Sequence, residues 1–570
     1  MDTNIKKWIF KDIDIENSRS ISNKFSVPLT ISSLMALRGL NDREYIKSFF
    51  YPSLDKMLDP FKMLGMNSAV SRLVKAYSAK EKVLIFGDYD VDGISSASFF
   101  YLFLRSIGIN TEVFIPNRET DGYGFSKRGI ELSKKIDVKL IITVDCGVNS
   151  INEVDLANNM GIDVIITDHH KPSYPQPNAI SILNPHQKEC EYSFKNLCGA
   201  GVVFKLATAV SKTIGKGFKS LWEHSDIVSL GIAADLVELK SENRIIVNEG
   251  LSKIGNSSKP GLRELLKING YGDGKITVGQ LIFFITPKIN AAGRLSDAMI
   301  AFDLLTTKDA NRAKVLAKEL QSMNEDRQDI TENMVSEGID LVESLKLAEK
   351  KIIILSKEGW HEGVIGIVAS RIKEIYNKPV IVISIKNRIG KGSCRSIKSY
   401  DIVDALGSCS LLLDNYGGHP IAAGLTISSK KIDSFYNKMV SHAESNISTD
   451  ALKQVINIDI EISLDQISGR LINFLNAMEP FGPGNSRPVF MAKRVNVAGI
   501  PSLIGKKSNI IKCNLSSNGS TFDSIGFNMP ELYWLLLESQ PIDIVFNIGK
   551  NRFRGKETIQ LELKDIRLST

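Results

Sequence analysis

Short apolar segments that end at an acidic residue recur in the first half of this 570-residue chain, and they constrain its fold more than any other feature. Short β-branched runs bounded by breaker residues are typical of buried strands. Stretches with helical spacing separate these runs, which predicts an α/β fold with a mostly parallel sheet. Four segments share the pattern: residues 83–86 before Asp88, residues 140–144 before Asp145, residues 163–166 before Asp168, and residues 227–234 before Asp235.

Acids and histidines at these segment ends predict a metal site. The carboxyl ends of parallel strands meet at one edge of a sheet, where open α/β sheets bind ligands. A single acid there is most simply a helix N-cap, but several carboxylates together repel one another unless a cation neutralises them. Carboxylate and imidazole ligands without thiolate favour manganese or magnesium over structural zinc. The candidate ligands are Asp88, Asp90, Asp92, Asp145, His169 and Asp235.

The acidic turn after residues 83–86 also allows a calcium-loop interpretation. Asp88, Asp90 and Asp92 alternate, so in an extended segment they would share one face. A loop of the EF-hand type needs Glu at its twelfth position, but the twelfth residue counted from Asp88 is Phe99. We therefore favour the metal site shared with the other segment ends, and we expect the adjacent Cys146 to be a small core residue.

Length and composition indicate a multidomain protein of a reducing compartment. A chain of 570 residues is expected to form two to four domains. No apolar run reaches the roughly 18 residues of a membrane span, and the first residues lack a signal-peptide pattern. Six cysteines without a CxxC pair argue against a disulfide framework. We expect a cytoplasmic protein without membrane contact.

Changes of pattern along the chain divide it into five regions. Between residues 307 and 346 apolar residues recur at gaps of three and four, which predicts a long amphipathic connecting helix. From residue 455 alternating patches predict an antiparallel β domain. The predicted regions are an N-terminal segment packed on the core (1–60), a first α/β lobe (61–306), the connecting helix (307–350), a second α/β lobe (351–445) and the β domain (455–570).

Glycine pairs and cations in the second lobe predict an anion site. Paired glycines let backbone N–H groups approach an anion, and Arg395 and His419 would add charge-assisted donors. Gly417-Gly418 alone would more often be a simple turn. His361 opens a predicted helix at 361–376, and two roles remain open for it: helix capping or phosphate contact.

The β domain carries most of the net positive charge. Residues 481–570 contain twelve Lys and Arg against seven Asp and Glu, a surplus of five out of the chain's net +7. Residues 550–556 interleave Phe553 with cations. Cations and rings on a small β-barrel suit single-strand binding, whereas a solvated hairpin turn is the commoner fate of such a run.

Several motifs, taken in order, resemble those of a known family. Asp88-Tyr-Asp-Val-Asp-Gly, Val144-Asp-Cys-Gly, Asp168-His-His and Ala234-Asp-Leu-Val are similar to the four motifs of the DHH phosphoesterases. More narrowly, the chain resembles the RecJ family of bacterial single-strand-specific 5′ exonucleases. The motifs for this are Ile115-Pro-Asn-Arg118, Asp121-Gly-Tyr123-Gly, Asn290-Ala-Ala-Gly-Arg294, Trp360-His-Glu-Gly, Gly392-Ser-Cys-Arg-Ser396, Asn415-Tyr-Gly-Gly-His419 and Pro480-Phe-Gly-Pro-Gly-Asn485. Asp121, where Glu is expected, and Cys394, in a motif that is usually small or polar, depart from the pattern.

The resemblance implies an architecture and a set of site residues. The fold would be a DHH-type parallel-sheet lobe, a connecting helix, a DHHA1-type lobe that binds substrate, and an OB-fold barrel. The six candidate ligands would hold two Mn²⁺ or Mg²⁺ ions, with Asp145 bridging them. Asp168 would be a ligand or would orient His169. The resemblance assigns catalysis to His170, Asp168 and Arg294, and substrate contacts to Asn290, Arg395, Ser396, Gly418, His419, Arg118 and Tyr123.

The resemblance also implies a function and partners. The function would be 5′-to-3′ hydrolysis of single-stranded DNA to 5′-mononucleotides in DNA repair and recombination. Single-strand-binding protein and a RecQ-type helicase would be partners of a monomeric enzyme. Two alternatives stay open: a DHH hydrolase of small phosphoesters, and a non-catalytic scaffold that binds single-stranded DNA. The basic β domain argues against the first alternative, and the complete ligand set argues against the second.

Overall fold

The computed structural model describes residues 6–118, 120–122, 124–271, 276–505, 507–538, 540–553 and 556–569. Tyr123 therefore lies outside the described residues. No helix among them is both long and apolar enough to cross a membrane. The chain begins with a short strand and three helices: β1 (Lys7–Phe10), α1 (Ile15–Phe25), α2 (Leu29–Ala36) and α3 (Arg43–Phe50).

The first lobe is built on a five-stranded parallel sheet, which confirms the predicted sheet type. The strand order is β3-β2-β4-β5-β6, and the two central strands are completely buried because helices cover both faces. The elements are α4 (Met66–Ser78), β2 (Val83–Gly87), α5 (Val91–Ile107), β3 (Thr111–Phe114), α6 (Lys127–Lys135), β4 (Leu140–Val144), α7 (Ile151–Asn159), β5 (Asp163–Thr167) and β6 (Ser181–Leu183).

Helices complete this lobe, and one of them replaces a predicted strand. Residues 227–234, expected to form a strand before Asp235, lie in a helix instead. Short apolar runs do not distinguish a buried strand from a buried helix. Here the small residue Gly231 lets the helix pack closely against Ala200 and Ser95. The helices are α8 (Gly199–Ile214), α9 (Phe218–Glu223), α10 (Ser225–Ala234), α11 (Ser241–Ile254), α12 (Pro260–Ile268), α13 (Val278–Gln280), α14 (Thr286–Leu295) and α15 (Met299–Thr306).

A single long helix, α16 (Ala310–Ser344), connects the two lobes, as the spacing predicts. The Asp309 side chain caps its start by accepting from the backbone N–H groups of Asn311 and Arg312. Leu316 and Leu320 pack into the first lobe's core, whereas Met334 and Val335 pack into that of the second. One apolar stripe therefore ties the two lobes together.

The second lobe has a five-stranded mixed sheet in the order β10-β11-β9-β8-β7. Only β7 and β8 run parallel, and β10 is an exposed edge strand. The predicted helix at 361–376 begins four residues later, after a turn. The elements are β7 (Ile353–Glu358), α17 (Ile365–Tyr376), β8 (Val380–Lys386), β9 (Ile389–Arg395), α18 (Ile402–Ser408), β10 (Asn415–His419), β11 (Ala422–Ser428) and α19 (Ile432–Asn446).

The C-terminal region forms a closed five-stranded barrel. Its strands pair in the ring β14-β15-β16-β18-β17, and β17 pairs back onto β14. The elements are β12 (Val455–Ile458), β13 (Ile460–Glu461), α20 (Gly469–Ala477), β14 (Phe490–Ile504), β15 (Ile510–Ser517), β16 (Ser520–Phe527), β17 (Ile542–Phe553) and β18 (Lys556–Leu568).

The N-terminal segment packs against this barrel. Ile21, Leu34 and Phe49 share one apolar core with barrel residues such as Phe490. At the start of the chain, β1 pairs in parallel with β12. The Trp8 indole N–H donates to Asp565 at 2.7 Å. The first and last parts of the chain therefore form one packed unit.

Candidate metal centre and substrate cleft

The turn after β2 places its three acids in different local environments. Asp88 directly follows the strand and is buried. Asp90 is exposed and caps α5, accepting from the Gly93 N–H at 3.0 Å. Asp92 lies in the first turn of α5 and is buried. The helix begins too early for the three acids to lie on one extended face, so the alternation argument is wrong in its geometry.

Asp92 is held at the N-terminus of α8. It accepts from the Gly199 N–H at 2.6 Å, from the Ala200 N–H at 3.0 Å and from the Cys198 thiol at 3.2 Å. A helix N-terminus favours a negative charge because its backbone N–H groups are unpaired. The Asp92 carboxylate is therefore fixed in place, with Oδ2 at 4.0 Å from the His169 ring.

Asp145 follows β4 in a left-handed backbone conformation with φ of +64°. Its side chain lies against Gly199, where an added Cβ would be 2.5 Å from the Asp145 Cβ. Only glycine allows α8 to approach the acid this closely. The start of α8 thus contacts both Asp92 and Asp145.

His169 is the point on which three carboxylates converge. Its Nε2 lies 3.1 Å from Asp145 Oδ1, 3.7 Å from Asp235 Oδ2 and 4.0 Å from Asp92 Oδ2. Burial lowers the pKa of His169 to about 4, and the charge of His170 adds to that decrease. The ring is therefore neutral at pH 7 and is able to bind a metal.

Asp235 ends α10 and so reaches the cluster from a helix, not from a strand end. Burial raises the pKa of Asp235 to about 8, and the charges of Asp92 and Asp90 add to the increase. Burial likewise raises the pKa of Asp92 to about 6. The pKa values of Asp88 and Asp145 are also well above their usual range, first through burial and then through neighbouring acids.

Asp168 makes a different set of contacts. Its Oδ1 accepts from the backbone N–H of His169 at 2.7 Å and lies 2.7 Å from His170 Nδ1, while Oδ2 accepts from the Val148 N–H. Burial opposes the charge on His170, but the hydrogen bond and charge of Asp168 raise the pKa of His170 to about 9. Both oxygens of Asp168 are thus hydrogen-bonded, and its imidazole partner is His170. Asn184 supports that residue by donating to its carbonyl at 2.8 Å.

The residues in this cluster fit a divalent cation. Asp88 Oδ1 and Asp145 Oδ1 are buried and accept no hydrogen bond within the described part of the chain. Such oxygens are costly unless a cation or proton binds them. The nearby Cys198 thiol donates to Asp92, which leaves a carboxylate and imidazole donor set. The donor atoms form overlapping groups within 4.8 Å: Asp88, Asp90 and Asp145; Asp92, His169 and Asp235; and Asp145, His169 and His170.

Arginines lie near this cluster, and one of them contacts the second lobe. Arg294 in α14 donates from Nη1 to the Gly363 carbonyl of the second lobe at 3.0 Å. Burial lowers the pKa of Arg294 to about 10, and Arg118 and Arg327 add to the decrease. The exposed Arg118 lies over the Tyr89 ring. Arg327 on α16 is a cation that the sequence motifs did not single out, because a helical face of mixed charge looks solvated.

The other expected substrate residues differ in placement. Arg395 ends β9, and its Nη1 donates to Ser393 Oγ and the Cys394 carbonyl. Ser396 is buried and its hydroxyl donates to the Tyr400 carbonyl at 2.6 Å, away from the expected phosphate role. His361 Nδ1 accepts from the Gly363 N–H in the turn before α17, so it does not cap that helix. Asn290 is partly buried on α14.

A cavity of about 630 Å³ lies where the lobes face each other. His419 on the exposed strand β10 faces His169 and His170 across it, with Gly418 beside it in the same strand. Five lining residues were not among the predicted site residues, because they lie in irregular segments after the Asp168-His169-His170 motif that carry no motif of their own. They are Lys171, Pro172, Tyr174, His186 and Lys188.

The basic run at residues 550–556 is only partly described. Lys550 pairs with Glu557 across the β17–β18 hairpin at 2.6 Å. The side chains of Arg552, Phe553 and Lys556, and the residues between the two strands, lie outside the described residues. The stacking role expected for Phe553 therefore stays a prediction.

This parallel sheet and its cluster of carboxylates and histidine are those of the DHH class. The model of the DHH family, N-terminal domain, matches residues 82–232. The DHHA1 domain model matches residues 349–457, and the RecJ OB domain model matches residues 458–565. These matches confirm the expected order of a DHH-type lobe, a DHHA1-type lobe and an OB-fold barrel.

Relatives that match almost the whole chain place it in a narrower family. The chain is 32% identical over 565 residues to the single-stranded-DNA-specific exonuclease RecJ of Bacillus subtilis, covering 99% of this chain and 71% of the relative. It is 30% identical to the protein of the same name from Escherichia coli over 559 residues, covering 95% and 96%. The chain belongs to the RecJ family.

Solved structures agree with this placement. A crystal structure of RecJ in complex with Mn²⁺ from Thermus thermophilus superposes with a TM-score of 0.83 at 26% identity, covering 99% of this chain and 80% of that one. A second crystal structure, of exonuclease RecJ bound to manganese, gives a TM-score of 0.59 at 33% identity over 67% and 95% of the two chains.

Proposed function

We propose that this chain is a metal-dependent exonuclease that hydrolyses single-stranded DNA from the 5′ end and releases 5′-mononucleotides. The observation that carries the proposal is the convergence of three carboxylates on the neutral His169 ring, beside buried carboxylate oxygens that accept no hydrogen bond from the described residues. The relatives named above support the substrate, since they are named single-stranded-DNA-specific exonucleases. The direction of digestion rests on the family resemblance.

The metal cofactor is Mn²⁺ or Mg²⁺, the ions held by the related RecJ structures. Bound here, two ions would activate water and stabilise negative charge on the phosphate in an in-line displacement. Asp145 belongs both to the donor group with Asp88 and Asp90 and to the group with His169 and His170, so it is suited to bridging. The residues that would hold the ions are Asp88, Asp90, Asp92, Asp145, His169 and Asp235.

His170 has the properties of a proton donor to the reaction. Asp168 Oδ1 lies 2.7 Å from its Nδ1, and the His170 ring lines the cavity. The raised pKa keeps the ring protonated at pH 7. His170 would donate to the scissile phosphate or protonate the 3′ oxygen that leaves when the phosphodiester bond breaks. Asp168 would act by orienting His170, not as a metal ligand.

Phosphates next to the reacting one would be held by cations of both lobes. Arg294 and Arg118 come from the first lobe, and Arg395 and His419 come from the second. Charge-assisted hydrogen bonds from guanidinium groups suit phosphate oxygens. The Asn290 and Gly418 positions would shape the cleft between them.

Single-strand selectivity follows from the closed cleft. The Arg294 contact with Gly363 joins the lobes beside the metal cluster, so the substrate has to thread between them. A duplex would have to unpair at a cost of roughly 1.4 kcal/mol per base-pair step. The barrel, with its surplus of positive charge, would hold the strand outside the cleft.

The finer biological assignments follow from the family resemblance. We propose a cytoplasmic monomer that acts in DNA repair and recombination. A RecQ-type helicase would supply single strands, and single-strand-binding protein would present them. Pull-down of each purified partner by this protein, with and without DNA, tests the two contacts.

The function is tested with a single strand labelled at one end or the other, and with the same strand annealed as a blunt duplex. Early release of 5′-labelled mononucleotide, slow loss of the 3′ label and a resistant duplex are expected with Mn²⁺, and no reaction is expected with chelator. Asp145→Asn should be inactive, while the exposed Asp155→Asn on α7 serves as the matched control. Rapid duplex digestion, or chelator-resistant activity, would refute the proposal.

A further inference from the structure

One turn of the C-terminal region packs directly behind a metal-site acid. Residues 480–485, Pro-Phe-Gly-Pro-Gly-Asn, precede the barrel and contact the segment 236–239, which follows Asp235. The Leu239 N–H donates to the Pro483 carbonyl at 2.8 Å. A Cβ added to Gly482 would be 2.6 Å from Leu239 Cδ1, and one added to Gly484 would be 3.1 Å from Glu238 Cβ. The 480–485 turn thus fits closely onto this segment.

The segment 236–239 needs such support. Asp235 is the last residue of α10, and Leu236 then adopts φ of +57° with 55% of its side chain exposed. The buried acids of the cluster follow strands or lie at a helix N-terminus. For Asp235, by contrast, the chain beyond it is an irregular link to α11. Asn243 steadies this link from one side by donating to the Glu238 carbonyl at 3.0 Å, and the 480–485 turn packs on it from the other.

The 480–485 turn is itself rigid. Asn485 is buried, and its Nδ2 donates to the carbonyls of Met478 and Pro480 at 2.8 and 3.0 Å. Gly482 and Asn485 also exchange two backbone hydrogen bonds of 3.0 Å. Gly484 has φ of +72°, which glycine adopts without strain. A turn fixed in this way transmits its position to whatever packs on it.

Arg244 anchors the turn to the first lobe. This buried guanidinium donates to the carbonyls of Met478, Glu479 and Pro480 at 2.8–3.2 Å, and to that of Phe49 at 2.8 Å. Arg244 lies on α11, which begins directly after the segment 236–239. Arg244 therefore ties helix α11, which follows the segment 236–239, to the start of the 480–485 turn.

We propose that the 480–485 turn is a positioning element for Asp235, so that the C-terminal region completes the metal site without contributing a ligand. The inference rests on the proposed function, since it takes Asp235 to be a ligand. Partners that only orient a ligand typically change metal affinity by 10- to 100-fold. Loosening the turn should therefore weaken Mn²⁺ binding while leaving the chemistry intact once the ion is bound.

The test compares two glycine variants of the full chain. Gly484→Ala adds a methyl group against Glu238, whereas Gly519→Ala, in the β15–β16 hairpin, meets nothing within 4 Å at a similar φ of +77°. Both variants carry similar backbone strain, so their difference reports the contact with Glu238. Calorimetric titration with Mn²⁺ in the absence of DNA should show affinity weakened roughly tenfold for Gly484→Ala and unchanged for Gly519→Ala. With saturating Mn²⁺, kcat of Gly484→Ala should recover.

Asp235→Asn separates the two levels of the proposal. Unchanged Mn²⁺ affinity in Asp235→Asn would remove this residue from the ligand set, which is a failure of the proposed site. Weakened affinity in Asp235→Asn, together with equal affinities of Gly484→Ala and Gly519→Ala, would overturn the positioning role alone. If Gly484→Ala shows no melting transition, Gly482→Ala replaces it, because the atoms nearest to its methyl group are side-chain atoms of Leu239 and Val278. Wild-type affinity in that variant would equally overturn the inference.

Discussion

At the scale of single residues, two adjacent histidines have opposite properties. His169 is neutral because burial lowers its pKa to about 4, and its Nε2 faces carboxylates. His170 is protonated because Asp168 raises its pKa to about 9. These adjacent residues thus differ in role: His169 is suited to bind a metal, and His170 is suited to donate a proton. The difference is the Asp168 hydrogen bond to the His170 ring, which outweighs the effect of burial there.

Substitution of each histidine should therefore have a different effect. His169→Ala should lose bound metal, whereas His170→Ala should keep its metal and lower kcat by roughly 10²- to 10⁴-fold, the usual contribution of a general acid. Asp168→Asn should resemble His170→Ala, since it removes the charge that keeps His170 protonated. Metal analysis of the purified variants, followed by kinetics at saturating Mn²⁺, checks this. Equal metal loss in both histidine variants would make His170 a ligand.

The raised carboxyl pKa values predict pH-dependent metal binding. The pKa of Asp92 is about 6 and that of Asp235 about 8, so below these values the metal-free folded protein holds protons that an ion must displace. Metal binding should therefore strengthen as pH rises from 5.5 to 8.5. The increase in Tm caused by a fixed Mn²⁺ concentration should grow over this range. In Asp92→Asn the increase should be smaller at every pH, and a constant increase in the wild-type protein would contradict the assignment.

At the scale of elements, the parallel strands and the positions of the motifs were predictable from sequence. The helix that carries Asp235 was not. Continuous apolar runs predict buried parallel strands, and they predict β2, β4 and β5 correctly. Residues 227–234 have the same composition yet form α10, because the small side of that helix fits against α5 and α8. Ser396 sits in a correct motif but bonds inward to Tyr400. Such outcomes depend on contacts between distant segments, which local pattern does not encode.

Helix α14 depends on one glycine for its position. A Cβ on Gly293 would lie 2.2 Å from the Tyr89 carbonyl oxygen, so Gly293→Ala must displace α14 from the acidic turn. The displacement should move Arg294 and raise KM for DNA, with a smaller loss of metal affinity. Gly279→Ala, where the nearest atom is 3.9 Å away, is the matched control and should behave like the wild-type protein. Identical KM values for the two variants would count against the close approach.

At the scale of the whole molecule, the N-terminal helices and the barrel depend on each other. Helices α1–α3 bury their apolar faces in the barrel's core. Arg244 joins both parts to the first lobe through the carbonyls of Phe49 and of residues 478–480. A cut that removes only the barrel therefore exposes the apolar faces of α1–α3 as well as the Arg244 site.

Two truncated chains test this dependence. Residues 1–457 keep α1–α3 without their partner, whereas residues 51–457 lack both. We expect the longer fragment to bind more of a hydrophobic dye and to aggregate sooner, because exposed apolar patches promote association. Both fragments should bind DNA with a flatter salt dependence than the full chain, since they lack the basic barrel. Less dye binding by the longer fragment would show that α1–α3 pack elsewhere.

The pairing of β1 with β12 sets an order in time for synthesis on the ribosome. Lys7 pairs with Val455, and Trp8 bonds to Asp565, so Lys7 and Trp8 wait for partners that are made several hundred residues later. At roughly 5–20 residues per second, these waits last about 20 to 110 s. The loop at residues 236–239 likewise waits for the turn at 480–485. A nascent chain is therefore expected to reach full Mn²⁺ affinity only after residues 480–485 have been made.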